Sequence, residues 1–365
     1  MITKKQEKTI KEMTILYNWR KQTVKGYKTV LADYVNYQSI DIDKLILEAE
    51  TEEEKINKIS KRKIKQRLLN YRIHLQENKK PNTVKIYLAR ICKIYRHYDI
   101  TIPELPPVKV VNTETFEDIP TSDEIKKAII HSRTKMKAII TFIASTGLRR
   151  SDVASLTVGD FIKATKEYHD ETSNILQIIQ QLNKKEYVVP TWFITDIKTG
   201  NNHISFSSHE SSVYILQMLQ ERLMKEDVTL DSKLFGITDS TITINFQNLN
   251  TKLCFGWKET RRHFHPHALR KFFATTLVSN DVDFLSTEFL IGHSLPSVQR
   301  SYYFANPDKL RSKYLRIMPM LTFTMSVNVV DVTSREKREL RELRNYRVES
   351  EERIRKLEEM INLIG

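Results

Sequence analysis

The chain is poor in cysteine, in glycine and in long apolar runs. Its two cysteines, Cys92 and Cys254, stand alone in apolar settings, so neither a disulfide framework nor a zinc motif can be assembled from them. No run of about 18 or more apolar residues occurs, and no charged-then-apolar leader opens the sequence. A membrane partner is therefore not expected, and an intracellular setting is. Acidic residues are also in deficit, with 45 Asp and Glu against 59 Lys and Arg, for a net charge of +14 over 365 residues. A balance that basic points to a polyanion, nucleic acid before any membrane surface. The length suits two or three domains at ~150 residues each, every one able to bury its own core.

The first hundred residues read as helices. Ser60-Lys-Arg-Lys-Ile-Lys-Gln-Arg67 leads into apolar residues at helical spacing, and Asn78-Lys-Lys-Pro-Asn82 breaks the pattern. In the next helix Val84, Tyr87, Leu88, Ile91, Ile94 and Tyr95 form the buried stripe. Basic side chains flank it, so Lys61, Arg62, Lys63, Lys65, Arg67, Lys85, Arg90, Lys93 and Arg96 are candidate phosphate contacts; on many proteins such lysines do no more than solubilise a helix. The proline-rich stretch from Pro103 to Pro120 lacks periodicity and marks a linker. Domains are expected at 1–105 (helical), 106–120 (linker), 121–318 and 319–365.

After the linker, Thr121-Ser-Asp-Glu124 has capping-box spacing, and Ala138-Ile-Ile-Thr-Phe-Ile-Ala-Ser145 must lie in an interior. Gly147 ends that helix, and Arg149 falls on the turn before the next, which Ser151 or Asp152 can cap. A guanidinium beside a helix N-terminus can meet an anion through bidentate bonds and free backbone N–H groups. From Val158 to Ser207 strand character is expected, with a surface insertion closing at Leu182–Lys185, a strand at Val188–Ile197, a turn at Lys198-Thr-Gly-Asn-Asn202 and a returning strand at His203–Phe206. In His267-Ala-Leu-Arg270-Lys271, helical spacing puts His267 and Arg270 on one face, while Leu269, Phe272, Phe273 and Leu277 seat the other. Leu290-Ile-Gly-His293-Ser and Ser301-Tyr302-Tyr303 follow. Cationic donors, imidazoles and a phenol, with no cysteine or carboxylate cluster among them, suit chemistry on a phosphate.

Taken together, Thr146-Gly-Leu-Arg149-x-Ser-Asp152, Lys198-Thr-Gly, His267-x-Leu-Arg270, Leu290-Ile-Gly-His293-Ser and Tyr302 stand in the order and at about the separations of the tyrosine recombinases, the integrase family of phages and mobile elements. The resemblance covers about Lys61 to Tyr314. It implies a mainly α fold with a small antiparallel sheet: a helical core-binding domain followed by a mixed α+β catalytic domain. It further implies a DNA recombinase in which Tyr302 attacks a phosphate held by Arg149, Arg270, His267 and His293, and Lys198 protonates the departing 5′ oxygen. Asp152 would orient Arg149 or cap a helix, and Lys271 would add a DNA contact. No metal or other cofactor is implied. The partners would be double-stranded DNA sites and further copies of the chain, as a tetramer on paired sites in a prokaryotic cell or its mobile element.

This sequence departs from the family in four places. Lys271 stands where many relatives have a second histidine, Asp152 replaces the commoner glutamate, the stretch from Phe161 to Val188 is long, and Tyr303 doubles the tyrosine. A type IB topoisomerase would use nearly the same residues, a non-catalytic DNA-binding regulator would share the charge, and a metal nuclease would draw on His263, His265 and His267, a poor ligand set without a carboxylate. Past Pro319, Leu321–Val330 alternates like a strand. From Ser334 on, Leu340, Arg347, Ile354 and Ile361 share one heptad position and Leu343, Ser350, Leu357 and Ile364 the other, the pattern of a helix that self-associates as a coiled coil.

Overall fold

The computed structural model describes residues 4–110, 116–170, 174–258 and 261–325. The chain forms two compact units, Met1–Thr113 and Glu114–Gly365.

The first unit is helical: α1 (Lys4–Leu16), α2 (Lys21–Gln38), α3 (Ile42–Lys55), α4 (Lys63–Asn78) and α5 (Pro81–His97). Proline opens α5 at a position where a missing N–H costs nothing. The α5 stripe Val84, Leu88, Ile91, Ile94 and Tyr95 meets Leu31, Tyr34, Leu68 and Tyr71 in one core. Buried phenols there are hydrogen-bonded, Tyr34 to Tyr95 at 3.0 Å and Tyr71 to the Asp33 carboxylate at 2.7 Å, as burial of a polar group requires.

Acidic α3 lies against the basic start of α4, which revises the expected DNA contacts. Arg62 pairs with Glu53 at 2.9 Å, Lys63 with Glu48 at 3.0 Å and Arg67 with Glu48 at 2.7 Å. Arg62 and Arg67 are largely covered, so their charges serve the unit's own packing rather than a phosphate. Lys61, Lys85 and Arg96 are exposed and Lys65 is half-buried. Arg90 and Lys93 lie over the rings of Tyr27 and Tyr17, at 5.3 and 4.2 Å from the centroids, contacts that hold a cation without neutralising it. The expected linker starts late. Ile100, Ile102, Leu105 and Val108 pack on this core, and Arg72 donates to the carbonyls of Pro106 and Pro107, so the proline-rich segment up to residue 110 is part of the helical unit.

The second unit runs through α6 (Ser122–Ile130), α7 (Thr134–Thr146), α8 (Arg150–Ser155), α9 (Val158–Ala164), α10 (Ile175–Asn183), β1 (Thr191–Thr195), β2 (Asn202–Phe206), α11 (His209–Leu223), α12 (Asp239–Lys252), β3 (Trp257–Lys258), β4 (Arg261–Arg262), α13 (Pro266–Ser279), α14 (Phe284–Leu290), α15 (Ser297–Ala305) and α16 (Pro307–Ile317). The capping box starts α6, with Thr121 Oγ1 accepting from Glu124 N and Glu124 Oε2 from Thr121 N. Every residue of α7 from Ala138 to Thr146 is buried, with α6, α11 and α13 packed around it. It ends at Gly147, φ +65°, where a Cβ would lie 2.3 Å from Phe273 Cδ1; both the left-handed backbone and the close helix demand glycine.

Among the described residues between Val158 and Val188 the expected strand character is absent. That stretch folds as α9, a 3₁₀ turn and α10, whose Asn174 cap accepts from Leu176 N and Gln177 N. Ile178, Ile179 and Leu182 fall on one face and enter the core, so apolar spacing outweighs the polar composition that suggested a surface insertion. The hairpin forms from β1 and β2 in antiparallel register, Thr191 opposite Phe206 and Ile194 opposite His203. Cys254, expected in an apolar setting, is exposed at a left-handed turn position.

The strand expected from Leu321 is also absent over its described residues. Leu321 closes a 3₁₀ turn and Phe323 is buried in the core. The Glu210 carboxylate accepts from Phe323 N at 2.7 Å and Thr324 N at 2.8 Å, so these backbone donors are satisfied by a side chain instead of a strand partner. The remainder of that stretch and the heptad-bearing segment lie outside the described residues.

Candidate active site

One cleft of about 710 Å³ in the second unit is lined by Arg149, Lys198, His267, Arg270 and His293. Four separate elements deliver them: the turn after α7, the β1–β2 turn, the first turn of α13 and the loop after α14. Arg150, Arg261, Arg262 and His265 line the same cleft, and among the described residues no Asp or Glu lines it. Such a surface favours an anion.

Arg270 is 5% exposed. Its Nη1 donates to the Gly147 carbonyl at 2.7 Å, while Nη2 is buried without a partner. A buried unpaired guanidinium N–H is costly; beside a cation-lined cleft it is a donor ready for an anionic oxygen. Burial, with Arg149 next, brings the Arg270 pKa down to about 10, so it stays charged at neutral pH. Arg149 Nη1 is held by Asp196 Oδ1 at 2.6 Å and by the Gly292 carbonyl at 3.4 Å.

His267 opens on the cleft, and burial of the ring together with the charges of Lys271 and Arg270 lowers its pKa to about 4. The imidazole is therefore neutral at pH 7 and can accept a proton. An NMR titration of the DNA-free protein should show the His267 ring protonating well below 6.5. Because the unfolded chain takes up that proton first, acidification from 6.5 towards 4 should also lower stability; a midpoint at 6.5 or above would show that burial and the neighbouring charges do not depress this ring. His293 Nδ1 lies 2.7 Å from Glu288 Oε2, a contact that orients Nε2.

Tyr302 is on α15 and 70% exposed; it is not among the residues lining the cleft. Tyr303 is half-buried, stacks on Phe289 at 4.8 Å, and its hydroxyl accepts from Ser286 Oγ at 3.3 Å. The two neighbours thus differ in kind, one phenol open to solvent and the other packed into the fold.

Asp152 neither caps α8 nor holds Arg149. It is 1% exposed and its Oδ1 accepts from Ile197 N at 2.9 Å, fastening the hairpin turn, while the N-cap of α8 is Arg149 without a side-chain bond. Burial, the Ile197 N–H acting against it, and the adjacent Asp196 leave the Asp152 carboxyl raised to about 6. Asp196 and Glu288, which contact Arg149 and His293, are not apparent from sequence; the only signal is a carboxylate two residues before Lys198 and another five before His293. His263 pairs with Glu124 at 3.1 Å and His265 Nδ1 lies 3.1 Å from the His263 carbonyl, so these histidines serve the fold next to the cleft. Lys271 is half-buried on α13.

Residues 120–309, more than half of the chain, match the model of the phage integrase family. The chain belongs to that family. It is similar to the tyrosine recombinase XerA of Saccharolobus solfataricus, 21% identical over 238 residues that cover 65% of this chain and 68% of the relative. It is also similar to the tyrosine recombinase XerC of Listeria welshimeri, 26% identical over 183 residues, 50% of this chain and 54% of the relative; the chain thus spans about half the length of that relative. Its fold is shared by the Tn1549 transposon integrase in complex with transposon right end DNA (TM-score 0.53, 15% identity, 85% of this chain and 98% of that one). A lambda integrase dimer bound to a COC′ core site shares it as well (TM-score 0.52, 11% identity, 81% and 94%). By family the chain is a tyrosine site-specific recombinase. Among its described residues no helix is long and apolar enough to cross a membrane.

Proposed function

We propose that the protein cleaves and rejoins duplex DNA at specific sites through a 3′-phosphotyrosyl intermediate. The observation that carries this reading is the cleft itself, where two arginines, two histidines and a lysine converge with no carboxylate among the described lining residues. Arg149 and Arg270 would bind the non-bridging oxygens and stabilise the charge that grows on them in the transition state. His293 would hydrogen-bond the same phosphate through Nε2. A phenol has a pKa near ~10 and attacks poorly until its proton is accepted; neutral His267 is the acceptor. The Tyr302 oxygen bonds to phosphorus, the bond to the 5′ oxygen breaks, and Lys198 supplies the proton that this oxygen takes up. A 5′ hydroxyl from another strand then reverses the sequence, so the bond energy is conserved.

Tyr302 has to be brought to the cleft for this chemistry, by movement of α15 on DNA or by donation between copies. Tyr303, stacked and hydrogen-bonded in the core, is the poorer candidate. Lys61, Lys65, Lys85, Arg90, Lys93, Arg96 and Lys271 supply the phosphate contacts in this reading.

The test is covalent trapping on nicked duplexes taken from the DNA flanking the gene. A protein–DNA adduct should form in EDTA, and binding should fall steeply with salt, since each phosphate contact releases counterions with a log–log slope near −0.9 per contact. A strict need for Mg²⁺ in cleavage would sink the proposal. Lambda integrase, of similar fold, forms a tetramer bound to a Holliday junction, and we infer four copies here on two paired sites. Light scattering of the protein on paired-site DNA should give the mass of four chains; two chains at saturation would exclude it.

A further inference from the structure

We propose that Asp196 is a positioning residue that ties the hairpin carrying Lys198 to Arg149 and to the loop of His293, so that the general acid and the phosphate clamp are held as one body. The inference rests on the reading of the cleft given above.

The Asp196 side chain is wholly buried, and it faces Arg149, Thr199, Asp152, His203 and Gly292. Its Oδ1 takes the Arg149 Nη1 bond at 2.6 Å, and its Oδ2 accepts from Thr199 Oγ1 at 3.0 Å. One carboxylate thus joins the guanidinium to the residue that follows Lys198. Its backbone closes the same turn, with Gly200 N donating to Asp196 O at 2.8 Å and Asp196 N to Asn201 O at 2.9 Å. A Cβ on Gly292 would lie 2.9 Å from Asp196 Oδ2 and 2.6 Å from the His203 ring, so the carboxylate and the imidazole both rest on the glycine that precedes His293.

Two further contacts brace the turn from outside. Ile197 N donates to Asp152 Oδ1 at 2.9 Å, and Asn201 Nδ2 to Ser294 Oγ at 2.8 Å. Lys198, itself exposed, therefore stands on a turn anchored on both sides. A lysine on a free hairpin would spend most of its time away from the leaving oxygen, and positioning errors near 1 Å already cost ~10²-fold. Burial opposes ionisation of Asp196, but the neighbouring Asp152 carboxyl and the hydrogen bond and charge of Arg149 prevail and hold its carboxyl below the usual range, so an anion faces the guanidinium.

The experiment compares single-turnover adduct formation on a nicked substrate with an oxygen or a sulfur at the 5′ bridging position. Sulfur leaves without a proton, so it reports the clamp alone. Asp196→Asn keeps the shape and loses the charge. It should slow cleavage of the oxygen substrate by about 10²-fold, with a smaller loss on sulfur, the difference being the part that acts through Lys198. Thr199→Val, an exposed substitution, should show the same preference for sulfur at about 3- to 10-fold, and it decides the matter if Asp196→Asn does not fold. Equal losses on the two substrates, or none, in Thr199→Val would overturn the proposal. If the unaltered protein forms no adduct on either substrate, the reading of the cleft fails and Asp196 falls with it; an adduct with no substrate preference in the variants overturns the positioning role alone.

Discussion

Replacing Tyr302 with Phe should abolish the covalent adduct, by about 10⁴-fold or more, while Tyr303→Phe retains it. The substitution removes one oxygen from a side chain that is 70% exposed, so folding and DNA binding are left intact and the loss is chemical. Tyr303→Phe removes an acceptor of the Ser286 hydroxyl bond and leaves the ring stacked on Phe289, at a cost of about 1 kcal/mol in stability and little in cleavage. Gel-resolved adducts on a nicked substrate, with thermal melts of both variants, check the pair. The reverse pattern would move the nucleophile one residue on and would require the Phe289 stack to open during the reaction.

Arg270→Ala should lower cleavage by about 10³-fold or more, because an arginine facing the transferred phosphoryl group is worth that much, and sulfur at the 5′ bridging position should not restore it. Lys198→Ala should be restored by that sulfur, since its task is the proton. Part of the Arg270→Ala effect is structural: the Gly147 carbonyl loses its 2.7 Å donor, at about 1–3 kcal/mol. Arg270→Lys separates the two contributions. It keeps a charge near the cleft but cannot both bond Gly147 and present a second N–H, so cleavage should remain low. Equal rescue of all three variants by sulfur would take Lys198 out of the acid role, and an active Arg270→Lys would show that charge alone suffices.

What could be read from the chain by itself was whatever is written in local spacing. The stripe Val84, Leu88, Ile91, Ile94 and Tyr95 specifies a helix and its buried face before any partner is known, because burial at i, i+3 and i+4 follows from the helical repeat. The Thr121–Glu124 box, the stop at Gly147, the hairpin around Lys198 and the face shared by His267 and Arg270 are local in the same sense. The order of the motifs and the charge of the whole then indicated a phosphate as the target. Only the tertiary structure decided which group meets which across distance. Asp152 lies three residues from Arg149, yet the carboxylate that holds the guanidinium is Asp196, 47 positions away, because chain separation does not encode the path that brings the hairpin back over α8. Arg62 and Arg67 read as DNA contacts until acidic α3 is found against them. Tyr302 and Tyr303 are chemically identical neighbours, and what separates them is that only Tyr303 meets Phe289 and Ser286. Pairing of charges and exposure of a side chain are properties of the assembled surface, and a periodicity confined to one element carries no information about them.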